Sequence, residues 1–212
     1  SVGVGDGVAL GVDVGRGGDP TVQALRFGNA VKELRRDSHK DTMHVVGLVK
    51  GVLDARAGIA VVDVIGIGAG VVDRLREQGY TPRVVAFNAA ERTDRRDATG
   101  EFGFVNKRSA MWWAMREMLD PAAGVDVALP PDDKLTGDLT APRWRVMSGG
   151  KIQVESKDDV RKRLGRSTDD ADACLQAFWG RPAAPLRVSD DPAGSRWAEA
   201  RIGRESDTEG NR

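Results

Sequence analysis

The stretch "GIAVVDVIGIGAGVVDRL", Gly58 to Leu75, decides the fold. Its first half is an apolar, β-branched run that reads as a buried strand ending on an acid, Asp63. A turn punctuated by Gly66, Gly68 and Gly70 follows, and helical periodicity runs from Ala69 to Gly79. Strand, glycine turn and helix usually mark a phosphate-binding unit, but a carboxylate at the strand end repels phosphate. The spacing is not G-x-G-x-x-G either, because Val71 holds the third position. No G-x-x-x-x-G-K-[ST] occurs anywhere in the chain. The glycines are therefore expected to clear space above the strand end for a polyanion and its metal.

Two more places carry acids in unusual settings. "GVALGVDVG", Gly7 to Gly15, is a buried-strand pattern ending in Asp13 and a glycine-rich turn. An acid at the end of a buried strand is costly unless something compensates it. "STDDADA" begins at Ser167, a possible helix cap, and places Asp169, Asp170 and Asp172 in the first turns of a helix. Asp169 and Asp172 share a face, with Asp170 rotated about 100° from Asp169. The next residues are core-like. Capping or dipole effects explain each cluster alone. Together they supply carboxylates from two strand ends and one helix. Oxygen-only ligands suit Mg²⁺ or Mn²⁺, and two such ions can activate a water and stabilise the leaving oxygen of a phosphodiester.

The composition fits that reading. Lys+Arg and Asp+Glu balance at 32 each among 212 residues, so any nucleic-acid surface must come from local segregation of charge. Cys174 is the only cysteine, which excludes an internal disulfide. With only His39 and His44 as histidines, a Cys/His zinc site is not expected. No apolar run approaches the ~18 residues of a membrane span, and nothing reads as a signal peptide. The start lies almost inside a strand, as in a piece cut from a longer chain. The expectation is a soluble intracellular α/β domain.

Along the chain, "TVQALRFGNAVKELRRD" (Thr21–Asp37) reads as two strands turning at Gly28-Asn29, which makes the first three strands an antiparallel meander. "DTMHVVGLVKGVLDARAG" reads as a helix capped by Asp41 or Thr42 and ended by Gly58, with Met43, Val46, Val49, Val52 and Leu53 on one face. "RVVAF" (Arg83–Phe87) is a strand, residues 88–103 a loop or lid, and Asn106–Asp120 an amphipathic helix. "VDVALP" is β-like, and "PDDKLTGDLTA" and "KDDVRKRLG" are helical. "RWRVMSGGKIQVES" (Arg143–Ser156) is a hairpin turning at Gly149-Gly150. This order predicts a mixed central sheet flanked by helices, with residues 1–180 as the domain and 181–212 as a flexible or loosely docked tail.

Four blocks now acquire a common meaning. "GVDVGRGGDPTVQALRFGN", "VVDVIGIGAGVVDRLREQGY", "NKRSAMWWAMREML" and "KIQVESKDDVRKRLGRSTDDADACLQAF" resemble, in order, the C-terminal nuclease domain of bacteriophage terminase large subunits. The resemblance spans Gly7 to Trp179. It implies an RNase H-like α/β fold with a β-hairpin added near the active site. It implies a Mg²⁺- or Mn²⁺-dependent endodeoxyribonuclease that cuts double-stranded concatemeric viral DNA during packaging. Asp13 matches the family's first-strand acid and Asp63 its fourth-strand acid. Asp169 and Asp172 match the acids of the late Ser-Pro-Asp-x-x-Asp-Ala motif, with Thr168 in place of proline. Catalysis is thereby assigned to Asp13, Asp63 and Asp169, and metal binding to these with Asp172. Asp170 falls at a variable position and is left out. The implied partners are DNA, an N-terminal packaging ATPase, the portal and the small subunit, and the implied location is the host cytoplasm.

The DNA-facing surface is expected in the basic segment Arg143–Arg166, which carries Arg143, Arg145, Lys151, Lys157, Arg161, Lys162, Arg163 and Arg166 against three acids. Lys107 and Arg108 resemble a family "Asn-Lys-Arg" start and are expected either as further backbone contacts or as an exposed turn; Arg16 and Arg92–Arg96, in loops near the proposed site, are weaker candidates. Trp112 and Trp113 read as core, whereas Trp144, between two arginines, is the candidate for base stacking. Competing readings are a junction resolvase or transposase nuclease of the same fold, an actin-like ATPase, and a DNA- or portal-docking module without catalysis. The absence of a repeat disfavours the ATPase, which needs two duplicated halves.

Overall fold

In the computed structural model, residues 7–179 are described, apart from Gly17 and Ala57. The expected tail, 181–212, lies outside them. Strand β1 (Val8–Asp13) pairs antiparallel with β2 (Thr21–Phe27), which pairs antiparallel with β3 (Ala30–Asp37). After helix α1 (Thr42–Ala55), β4 (Gly58–Asp63) lies parallel to β1 on its other side. Helix α2 (Gly68–Leu75) leads to β5 (Val84–Phe87), parallel to β4. The sheet order is β3-β2-β1-β4-β5, the mixed sheet expected. A smaller sheet has the order β6-β8-β7, from β6 (Gly103–Phe104), β7 (Trp144–Met147) and β8 (Lys151–Val154).

The period-2 alternation of strands divides the core in two. Leu10 and Val12 of β1 and Ala60 and Val62 of β4 pack with Val46 and Val49 of α1 and Val71 and Leu75 of α2. Val61 faces the other layer, made by α3 (Lys107–Met118) and α6 (Asp169–Trp179) together with α4 (Asp133–Thr140). Asp13 and Asp63 share the parity of Gly11 and Val61. Val12 is in register with Val62, so the two acids end adjacent parallel strands on the α6 side of the sheet. A one-residue register slip of either strand would put its carboxylate on the opposite face, away from the other.

Two glycines set that layer's depth. A Cβ on Gly11 would lie 1.9 Å from the carbonyl oxygen of Ala173 and 2.5 Å from the nitrogen of Ala177, so α6 presses directly on β1. A Cβ on Gly68 would lie 1.8 Å from the carbonyl oxygen of Asp63, so α2 starts against the end of β4. This corrects the expectation for the glycine turn: Gly68 admits the chain's own backbone, and Gly70 has nothing within 4 Å. The α1 stripe also differs. Asp41 caps the helix, but Met43 is 47% exposed and the buried face is Val45, Val46, Val49 and Leu53. The helix ends at Ala55, before Gly58. The loop at 88–103 lies against α3, where the amides of Lys107 and Arg108 donate to the carbonyls of Glu91 and Ala89.

Candidate functional site

The three segments that carry the acids meet in one cleft of about 320 Å³, lined by Asp13, Asp63, Asp169 and Asp172. Asp63 is half-buried, and its Oδ1 accepts the Ile65 amide at 2.9 Å, which fixes the carboxylate in the turn. Asp13, Asp169 and Asp172 are buried. Thr168 sits where the family pattern has proline. Its carbonyl accepts the Asp172 amide at 2.9 Å and its hydroxyl donates to Asp172 Oδ2 at 2.9 Å. The Ser167 hydroxyl donates to Asp169 Oδ1.

Two residues expected to contact DNA lie inside this cluster. Lys157 opens helix α5 (Lys157–Leu164), and its Nζ sits 2.7 Å from Asp13, 2.9 Å from Asp169 and 3.5 Å from Asp172. Arg108 is only 6% exposed. Its Nη1 donates to Asp172 Oδ1 at 2.6 Å, its Nε donates to the Glu155 carbonyl at 3.1 Å, and the guanidinium lies over the Trp112 ring. Both side chains turn into the cleft, Arg108 buried and Lys157 one-third exposed. Each charge is drawn inward because buried acids need a cation nearby.

The electrostatics follow. Burial pushes the Asp13 carboxyl well up, with Asp172 and Asp169 adding to the rise and Lys157 opposing it. Burial also raises Asp63. At Asp172 burial works against the charge, but Arg108 and Lys157 outweigh it and hold the carboxyl below its usual range. Burial acts to lower the Lys157 pKa, but Asp13, Asp172 and Asp169 prevail and raise it. Four acids thus face two cations, the buried Arg108 and the one-third-exposed Lys157. All-carboxylate donors with an excess of negative charge fit a hard divalent cation such as Mg²⁺ or Mn²⁺. Lys157 stood out in the sequence by its place in a basic segment and Arg108 by the family-like "Asn-Lys-Arg" start; their approach to the acids depends on neighbours distant in the chain. Gln176, one turn beyond Asp172, was missed. It lines the cleft, and its Oε1 is buried without a partner among the described residues.

The remaining basic residues divide into paired and unpaired. Arg161 pairs with Asp19, Arg163 with Glu155, Arg166 with Asp138, and Lys107 with Glu91. Arg143, Arg145 and Lys151 are exposed on the hairpin and make no ion pair among the described residues; Arg145 donates to Gln153 at 3.0 and 2.8 Å. Trp144 is 51% exposed, with one edge against Trp113. Asp170, excluded as a ligand, points away from the cleft to Arg36 and Lys134.

No family model matches this chain, and no curated protein matches it. Solved structures do. The nuclease domain of the large terminase subunit gp2 of bacterial virus Sf6 superposes with a TM-score of 0.64 at 21% identity, covering 81% of this chain and 87% of that one. A mutant of the same domain with manganese gives 0.64 at 20% identity, covering 81% and 88%. The large terminase nuclease from thermophilic phage G20c with bound magnesium gives 0.58 at 15%, covering 82% of each chain. The chain has the mixed α/β, RNase H-like fold of phage large-terminase nuclease domains.

Proposed function

We propose that this chain is a metal-dependent endodeoxyribonuclease that cuts double-stranded viral DNA during genome packaging. The observation that carries the proposal is the meeting of Asp13, Asp63, Asp169 and Asp172, from two strand ends and one helix, in one cleft. The manganese and magnesium named for the Sf6 and G20c domains support the choice of ion.

Asp13, Asp63 and Asp169 would hold the metal, with Asp172 completing the set. Two ions there would activate water for attack on a phosphodiester and stabilise the leaving oxygen. The chain's own residues prepare that site. Arg108, Thr168 and Trp112 fix Asp172, with the Trp112 indole donating to it at 3.3 Å. The Ile65 amide fixes Asp63. Arg108 Nη2 is buried without a partner among the described residues and can donate to a phosphate oxygen in the cleft. Arg143, Arg145 and Lys151 present unneutralised charge on the hairpin and would hold the DNA backbone, with Trp144 beside them. The packaging ATPase, portal and small subunit would be its partners, and the host cytoplasm its location. No helix among the described residues is long and apolar enough to cross a membrane.

The test is supercoiled plasmid incubated with Mn²⁺ or Mg²⁺. The wild type should nick and linearise it, and Asp63→Ala should reduce the rate at least about 100-fold, or ~2.7 kcal/mol of barrier. Cleavage without metal, or cleavage that survives the substitution, overturns the proposal. Binding without cleavage favours a docking module.

A further inference from the structure

The two histidines lie together, outside the cleft. Asp37 ends β3, His39 follows in the connection to α1, and His44 lies in the first turn of α1. His39 Nδ1 is 3.0 Å from Asp37 Oδ1, and His44 Nε2 is 2.9 Å from Asp37 Oδ2. The imidazole rings stack, 4.2 Å between centroids and 26° between planes. One ligand atom from each of the three residues falls within 4.8 Å of the others. The carboxylate is also oriented by the chain, because Oδ1 accepts the His39 amide at 2.7 Å.

We propose that Asp37, His39 and His44 form a second divalent-metal site, of the Zn²⁺ class, separate from the carboxylate cleft. Two imidazoles and one carboxylate are a borderline donor set that prefers Zn²⁺, Ni²⁺ or Co²⁺, whereas the all-oxygen cleft suits Mg²⁺ or Mn²⁺. Tetrahedral bonds of about 2.0–2.1 Å place neighbouring donors about 3.3 Å apart. The two Asp37–histidine distances are a few tenths of an ångström short of that, and the two ring nitrogens, within 4.8 Å of each other, would have to settle at it as the metal binds. Metal binding needs the lone pair of the ring nitrogen that faces Asp37, so each neutral imidazole would carry its one proton on the other ring nitrogen, with no net proton released. The side chains are 23% (Asp37), 35% (His44) and 70% (His39) exposed, so a water can complete the coordination. The expectation in sequence concerned only a Cys/His zinc site and left out the carboxylate between the two histidines.

The position gives the site a structural consequence. Thr21 is in register with Asp37, and Val22 with Asp13, so the triad and the cleft lie at the same end of the sheet, two strands apart. A metal would tie the edge strand to the start of α1. Arg36, on the opposite face of β3, reaches Asp170 on α6. The end of β3 would then be held on both faces.

Calorimetric titration of ZnCl₂ into the metal-stripped chain, with excess Mg²⁺ to fill the cleft, tests the site. One Zn²⁺ of micromolar affinity is expected, unaffected by Asp13→Asn and weakened at least about tenfold by His39→Ala and by His44→Ala. Long-range ¹H–¹⁵N spectra of the wild-type imidazoles supply a reading that needs no variant to fold: His39 Nδ1 and His44 Nε2 should shift on Zn²⁺ addition. Zn²⁺ binding that neither histidine affects, loss of binding only with Asp13→Asn, or unmoved imidazole nitrogens would each overturn the proposal.

Discussion

Asp169 and Asp170 are neighbours on α6, both buried, and the fold uses them in opposite ways. Asp170 is 0% exposed and meets Arg36 through two nitrogens, at 2.7 and 3.0 Å, and Lys134 at 3.0 Å. Those contacts tie α6 to β3 and α4. Beside it Asp138, also 0% exposed, pairs with Arg166 and Lys134. Arg36 also reaches Asp132 at 2.6 Å, so in that region three cations serve three acids. In the cleft, Asp169 shares Lys157 with Asp13 and Asp172, and four acids have two cations. The first region is neutralised by the chain itself. The second is left short of positive charge, which is the condition for binding a metal. Burial of an acid therefore carries no functional meaning until its cations are counted.

The largest effect should come from separating the two roles. Asp13→Asn should reduce metal-dependent cleavage by about 100-fold or more while leaving the thermal midpoint unchanged or higher, because it removes a buried charge that repels Asp169 and Asp172. Asp170→Asn should do the reverse. Breaking a fully buried pair costs about 3–5 kcal/mol. Here the Arg36 and Lys134 side chains are 35% and 42% exposed and can recover water, so about 2 kcal/mol is expected. That is a fall of about 4–8 °C, read by calorimetry, with cleavage by the folded fraction retained. If Asp13→Asn destabilises the chain as much as Asp170→Asn, the distinction between the two regions fails.

A smaller effect probes what stands in for the metal. Lys157 holds its charge against three of the four acids, so a divalent cation must compete with it. Lys157→Ala should strengthen Mn²⁺ binding by about tenfold in calorimetric titration, a change of ~1.4 kcal/mol. It should also lower the metal-free midpoint, because the acids lose a cation. Equal or weaker Mn²⁺ affinity would mean that Lys157 assists binding rather than opposing it.

Much of this was legible because the strand pattern is local. Period 2 places Asp13 with Gly11 and Asp63 with Val61 on one face, and the order of the blocks sets the strands. The rotation between Asp169 and Asp170 was equally readable, since 100° per residue sends neighbours on a helix to different surroundings. What could not be read was where long cations end. Lys157 looks like surface charge in a basic segment, and Arg108 like an exposed residue at a helix start. Their positions follow from α5 and α3 packing against strands remote in sequence. Gly68 misled for a similar reason: a glycine required by the chain's own carbonyl looks the same in sequence as one that admits a ligand. The histidine triad was missed because its third member is an aspartate ending a strand.

Glu155 extends the comparison to the surface, where the smallest effect is expected. The Arg163 guanidinium beside it, and the Arg143 amide, hold its carboxyl down to about 2. An acid whose folded pKa lies below its unfolded value near 4.3 stabilises the fold at higher pH, and loses that contribution as pH falls from about 5 toward 2. Glu155→Gln should therefore flatten the pH dependence of the thermal midpoint across that window and change it little at pH 7, because both partners keep access to water. It should leave cleavage near wild type, since Arg108 bonds to the Glu155 backbone carbonyl and not to its side chain. An unchanged acid limb would mean that the pair contributes nothing to the fold. A loss at pH 7 as large as that of Asp170→Asn would place Glu155 with the buried, chain-neutralised acids, and solvent access would no longer separate the classes.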